Sequence, residues 1–188
     1  MRRPFAVFMA STVMTVAALI GSGTTAAASV RAEGEVQVIP FAPNVFTAEL
    51  EITDTGTALI VNGQATGLDP TKTYVSLDYT TPATGPTACE PGGDLSFAQM
   101  FLGTWSVNSS GEGTLVAVKT AAGNTNQPPA SLLAFLNATG VPTGGTAYHQ
   151  LNSSITSVSV RRMTPVAGFP IPVPLLIGCG ALNVETGS

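Results

Sequence analysis

The sequence predicts an all-β fold, eight strands in a Greek-key barrel or sandwich. Two observations carry that reading. Short segments alternate apolar and polar side chains with period two, as strands half buried in an antiparallel sheet do. Turn residues (Gly, Asn, Asp, Pro) separate these segments, and only 10% of the residues are charged.

The strands follow in order. Glu35 to Ile39 sets Val36 and Val38 on one face. Phe46 to Thr53 is the cleanest: Phe46, Ala48, Leu50 and Ile52 point one way, Thr47, Glu49, Glu51 and Thr53 the other. Asp54-Thr55-Gly56 turns the chain into Thr57 to Ala65, where Leu59, Val61 and Ala65 resume the pattern. Gly63 interrupts it, as a bulge or a close backbone approach would. After the turn Leu68-Asp69-Pro70-Thr71, Thr73 to Tyr79 reads with Val75, Leu77 and Tyr79 inward and Ser76 and Asp78 outward. Leu102 to Val107 and Thr114 to Lys119 flank Asn108 to Gly113. Ile155 to Met163 is rich in β-branched residues, and Leu175 to Leu182, "LLIGCGAL", is the last strand.

Three longer connections break the rhythm. Thr80 to Met100 holds Cys89. Ala121 to Gln150 contains a short helix at Ser131 to Asn137, capped near Gly140. Thr164 to Pro174, "TPVAGFPIPVP", is uncharged and proline-spaced, which predicts an extended run. Its Phe169, Ile171 and Val173 form a candidate apolar interaction loop, either folded back as a plug or exposed as a docking surface. With no internal repeat, residues 29–188 read as a single β-domain.

The N-terminus predicts export. Met1-Arg2-Arg3-Pro4 is a positive n-region, Phe5 to Ile20 an apolar core, and Ala26-Ala27-Ala28 a small-residue cleavage pattern. A signal peptide over residues 1–28 follows, with Ser29 the first mature residue. The competing reading is an uncleaved anchor, but the apolar run is shorter than the ~20 residues a membrane span needs. After removal no transmembrane segment is expected, and the protein is predicted to be secreted.

Past the leader, Arg31, Lys72, Lys119, Arg161 and Arg162 face all eleven acids. A mildly acidic chain without a basic stripe is a poor nucleic-acid ligand. Its two cysteines, Cys89 and Cys179, either pair, as an oxidising compartment favours, or stay separate as buried thiols. The lone histidine, His149, sits in a polar stretch and reads as solvated.

The segments "VQVIPF", "TALIVNGQATGLDPTKTYVSLDYT", "LGTWSVNSSGEGT", "ITSVSV" and "LIGCGAL" together resemble the copper/zinc superoxide dismutase family. The resemblance spans nearly all of the mature chain, and its most specific parts are the glycine spacing of "VNGQATGL" and the terminal Cys-Gly. It implies a superoxide dismutase-like barrel and a Cys89–Cys179 disulfide tying the loop Thr80 to Met100 to the last strand. Gly178 and Gly180 would then let that loop come close.

The resemblance also marks where metal ligands should stand, and this chain departs from it there. The two copper-histidine positions of the fourth strand fall on Ser76 and Asp78, a third on Arg161, and the substrate-guiding arginine on Leu176. Glu90 to Phe101, where the remaining ligands would lie, has no histidine. A copper centre cycling on imidazoles needs several, and there is one. Ser76, Asp78 and Arg161 are expected to share one surface, as a solvated sheet face or through an Asp78–Arg161 ion pair.

These readings select a secreted, disulfide-bonded, non-catalytic superoxide dismutase-like domain, a binding or structural module with no cofactor and an unidentified partner or second copy. Two alternatives stand beside it. One is a metal-dependent oxidoreductase whose ligands, His149 included, are shared across an oligomer interface. The other is a small-ligand carrier using the barrel face or the Ala121 to Gln150 connection.

Overall fold

A computed structural model describes residues 30–85 and 87–187, and the signal peptide expected over 1–28 lies outside the described residues. The strands are β1 (Ala32–Pro40), β2 (Thr47–Asp54), β3 (Ala58–Thr66), β4 (Tyr74–Tyr79), β5 (Phe101–Thr104), β6 (Ser106–Val107), β7 (Gly113–Thr120), β8 (Gly123–Asn124), β9 (Ser157–Thr164), β10 (Val173–Ala181) and β11 (Asn183–Thr186). The helices are α1 (Phe97–Met100) and α2 (Ala130–Thr139). All strands join one antiparallel sheet in the order β5-β4-β9-β10-β1-β2-β3-β7-β6, with β11 beside β1 and β8 beside β7. Because β5 runs into β6 through Trp105, the sheet curls into a nearly closed barrel.

The eight predicted strands are present but become eleven, through two divisions and one addition, β8, inside the predicted connection Ala121 to Gln150. Trp105 splits the Leu102 to Val107 strand into β5 and β6, and Leu182 splits the end of the last strand into β10 and β11. The predicted helix is α2, ended by Gly140 in the left-handed region (φ 71°), where its N–H reaches the carbonyls of Asn137 and Leu136. The stretch 164–174 corrects an expectation. It is not extended throughout: Val173 pairs with Thr164, and a turn closed by Phe169 N–H on Val166 O at 3.0 Å reverses the chain. Gly168, at φ 87°, supplies the positive φ that this turn needs.

Two apolar cores result. The inner one fills the barrel with Leu50, Ile52, Leu59, Val61, Leu115, Val158 and Val160, among others. The outer one lies over β4, β9 and β10 and is built from Val75, Leu77, Tyr79, Phe97, Phe101, Leu132, Leu136 and Met163. Consequently β4 is buried on both faces along its whole length. The inward and outward assignment made from its alternation is reversed. Ser76 and Asp78 stand opposite Val160 and Val158, so they point into the barrel, while Val75, Leu77 and Tyr79 point out beneath the second core. A strand covered by apolar material on both sides does not advertise which face is which.

Side-chain amides finish the barrel wall. The β6–β7 pairing covers only Ser106–Thr114 and Val107–Gly113, after which β5 and β7 splay apart. Asn124 Nδ2 donates to Phe101 O and Leu102 O at 3.1 and 3.2 Å. Asn126 accepts from Thr104 N–H at 2.9 Å and donates to Thr104 O and Val116 O, each at 3.1 Å. The two asparagines, Asn124 from β8 beside β7 and Asn126 just after it, thus bridge β7 to β5 through their amides and leave little open edge.

Glycines mark close approaches, though not all where expected. Gly63 lies in a regular β2–β3 register and makes room for the Trp105 ring, whose Cη2 would sit 2.8 Å from a Cβ there. Gly178 would bring a Cβ within 2.8 Å of Phe46 and Val38, and Gly180 would drive one into Gln37 O. These two glycines therefore admit β1 and the inner core, not the disulfide loop. Among the described residues no helix is long and apolar enough to cross a membrane.

Candidate functional site

The inward register of three strands ends in charge. Along β2 the positions Ala48, Leu50, Ile52 lead to Asp54, along β7 Leu115 and Ala117 lead to Lys119, and along β4 Ser76 leads to Asp78. All of these terminal groups are fully buried. The segment from Ala147 to Leu151 enters this end of the barrel as an extended stopper, burying Ala147, His149 and Leu151 on alternate positions. Asp54 holds it: Oδ2 accepts from Leu151 N–H at 2.9 Å, and Oδ1 from Tyr148 Oη at 3.1 Å and Gly56 N–H at 2.6 Å. Burial, and donation to that carboxylate, push the Tyr148 phenol above its ordinary range.

Asp78 and His149 meet inside. His149 Nε2 lies 3.0 Å from Asp78 Oδ2, and both side chains are shut off from solvent. The contact is too bent for a hydrogen bond, and neither nitrogen nor either oxygen has another partner among the described residues. Lys119 completes the cluster, its Nζ donating to Gln99 O at the end of α1. Burial pushes the Lys119 amine down, and the negative charge of Asp78 pulls it part of the way back. His149 is therefore not solvated, as its polar neighbours suggested. Period two carries it into the barrel with Ala147 and Leu151.

The four positions drawn from the resemblance do not converge. Ser76 faces inward and accepts a hydrogen bond from Trp105 Nε1 at 2.9 Å. Asp78 faces inward to His149. Arg161 pairs with Val75 and Leu176 across the sheet, which puts it on the outer face. The expected Asp78–Arg161 pair and the expected solvated face are both absent, since the two side chains lie on opposite faces of the sheet. Leu176 stays beside Arg161, partly buried against the outer core.

Arg161 fills the space under the disulfide loop. Its Nε donates to Tyr79 Oη at 2.8 Å, Nη1 to Pro174 O at 3.0 Å and Nη2 to Cys89 O at 2.8 Å. Tyr79 Oη is also 3.0 Å from Ser159 Oγ, and burial raises the phenol's pKa against the opposing charge of Arg161. Cys89 is bonded to Cys179, joining the loop to β10. One guanidinium thus pins the strand, the hairpin and the loop together.

In the candidate apolar loop Phe169 is 56% exposed, while Ile171 and Val173 are partly buried. Phe169 stands at a hairpin turn, not as a plug over Ser76 and Asp78, which the barrel itself encloses. Lys119, Asp54 and the two bridging asparagines were not singled out from the sequence. Extending the alternation of Phe46 to Thr53 by one residue places Asp54 inward, and following Leu115 and Ala117 along Thr114 to Lys119 places Lys119 inward at the same end. No protein-family model matches this chain, and no curated protein matches it.

Proposed function

We propose that this is an exported, disulfide-locked Greek-key barrel of the superoxide dismutase-like type, without redox chemistry, serving as a binding or structural module. The observation that carries the reading is Arg161. Of the positions the resemblance marks for copper ligands, Ser76 and Asp78 face into the barrel while Arg161 stands on the outer face beneath the Cys89 loop, a guanidinium spending its donors on Tyr79, Cys89 and Pro174. The strand order supports the same reading, because the β3–β4 connection crosses from one side of the barrel to the other. So does a long-range bridge from a loop to β10, which suits an oxidising compartment.

The test is the metal content of the protein purified from the medium of a copper- and zinc-supplemented culture, with a dismutation assay on the same sample. Substoichiometric copper and zinc with no dismutation is the expected result. Stoichiometric copper that disappears in His149→Ala would overturn the reading and make Asp78 and His149 ligands, since their 3.0 Å approach is compatible with two donors on one ion.

A further inference from the structure

The barrel end opposite the stopper carries a surface cleft over Phe46, Leu68 and Ile177. There the β1–β2 connection, the β3–β4 turn and the rims of β9 and β10 bound a cleft of about 320 Å³. Barrel mouths are a usual place for small-molecule sites, and this volume lies at the lower end of their ~300–1,000 Å³ range. The lining is mixed: apolar Val45, Phe46, Leu68 and Ile177 stand among Asn44, Asp69, Tyr74 and Arg162, and of the apolar four Val45 is the exposed one. Val45 is 86% exposed at the rim, an aliphatic side chain left without a partner.

Arg162 is the feature to explain. It pairs with Tyr74 on β4 and Leu175 on β10, two positions beyond Val160 on the inward register of β9, which sets it at the mouth. Its neighbour Arg161 commits three nitrogens to protein acceptors at 2.8–3.0 Å. Arg162 commits only Nε, to Thr164 Oγ1 at 3.3 Å, and among the described residues no carboxylate pairs with it. The acid in the lining, Asp69, turns its Oδ1 onto its own loop, where Thr71 N–H and Oγ donate at 2.9 and 2.8 Å. A guanidinium with its two-pronged end free, in a cleft rimmed by the exposed aliphatic Val45, matches a carboxylate on a small apolar body.

We propose that this cleft binds a small organic monocarboxylate, the carboxylate on Arg162 and the apolar body against Val45, Phe46 and Ile177. The inference rests on the binding-module reading and names its ligand class. Lys72, next along the β3–β4 turn, adds positive charge near the mouth, whereas Asp69 is the one group there that opposes an anion.

The test is a methyl-resolved NMR titration of the mature protein with octanoate, with octanol as the uncharged comparison. At about 10 mM, a millimolar Kd already populates most of the site. Octanoate should shift the methyls of Val45, Leu68 and Ile177, and octanol should shift them far less. Arg162→Gln should weaken octanoate about tenfold, the worth of one charge-assisted hydrogen bond, while the remaining spectrum stays folded. Asp69→Asn should tighten it. Absent shifts, equal binding by octanol, or undiminished binding in Arg162→Gln would each overturn the proposal. Metal analysis of the same sample separates the two readings: stoichiometric copper sinks the module reading whatever the titration gives, and silent methyls sink the carboxylate cleft whatever the metal content.

Discussion

Asn126→Ala tests how the barrel wall is closed. The side chain supplies an acceptor to Thr104 N–H and two donors, to Thr104 O and Val116 O, all at 2.9–3.1 Å. Each such bond contributes about 0.5–1.5 kcal/mol net, and water reaches the half-exposed site to replace part of them, so the loss should be about 2–3 kcal/mol. That is a large share of the ~5–15 kcal/mol typical of a domain. Equilibrium unfolding in urea reads it as a lower midpoint with an unchanged slope. Asn126→Asp sharpens the test. It keeps the acceptor for Thr104 but sets a carboxylate against two carbonyls, and should cost at least as much as alanine. The Thr104 amide should also exchange faster with solvent in both variants. A loss under about 0.5 kcal/mol for alanine, the scatter of ordinary surface substitutions, would refute the bridging role. So would an aspartate milder than alanine.

Three further outcomes are expected. Replacing Cys89 and Cys179 together by alanine should destabilise by about 4–5 kcal/mol, the loop entropy released by a separation of 90 residues, read as a fall in Tm; a Tm unchanged within error would mean other contacts already hold the loop. Arg161→Met should cost about 2–4 kcal/mol and expose the segment 80–100 to limited proteolysis, since Cys89 O and Pro174 O lose their donors; a cleavage pattern identical to the parent's would count against it. The pH prediction concerns Lys119. Its amine is held below 10.5 when folded, so the unfolded chain binds the proton more readily and stability should rise with pH toward that value. Tyr79 and Tyr148, both raised from 10.0, act in the opposite sense once the unfolded phenols ionise, so the comparison belongs between about pH 8 and 9.5. There Lys119→Met should flatten the slope of unfolding free energy against pH, and parallel slopes would refute the assignment.

The fold was largely legible because β2, β3 and β7 have one face in the core and the other in water. Their alternation states both identity and orientation. It failed on β4, where Tyr74 to Tyr79 is buried throughout and neither face carries a solvent signal. The site was misjudged for the same reason: with the faces exchanged, Ser76 and Asp78 were assigned to the side that Arg161 occupies. Its true partners come from far along the chain. His149 reaches Asp78 through a segment with no strand of its own, and the asparagines act through amides that no periodicity reports. The cleft at Arg162 was invisible because two connections and residues of three strands, far apart in the sequence, build it.

The pairing of β1 with β11 and β10 bears on how the domain would carry a load. Ala32 lies opposite Thr186 and Glu35 opposite Asn183, with Ile39 opposite Cys179 further along. Tension applied at Ala32 and Thr186 would part these bonds in succession, as a zipper opens, which needs little force. The opening then meets Cys179, whose bridge to Cys89 closes off a sequence separation of 90. About 300 Å of contour, at ~3.3–3.6 Å per residue, is thereby withheld from extension. The domain would yield early and then stop short, a mechanical limit set by a covalent bond and not by the strength of its sheet.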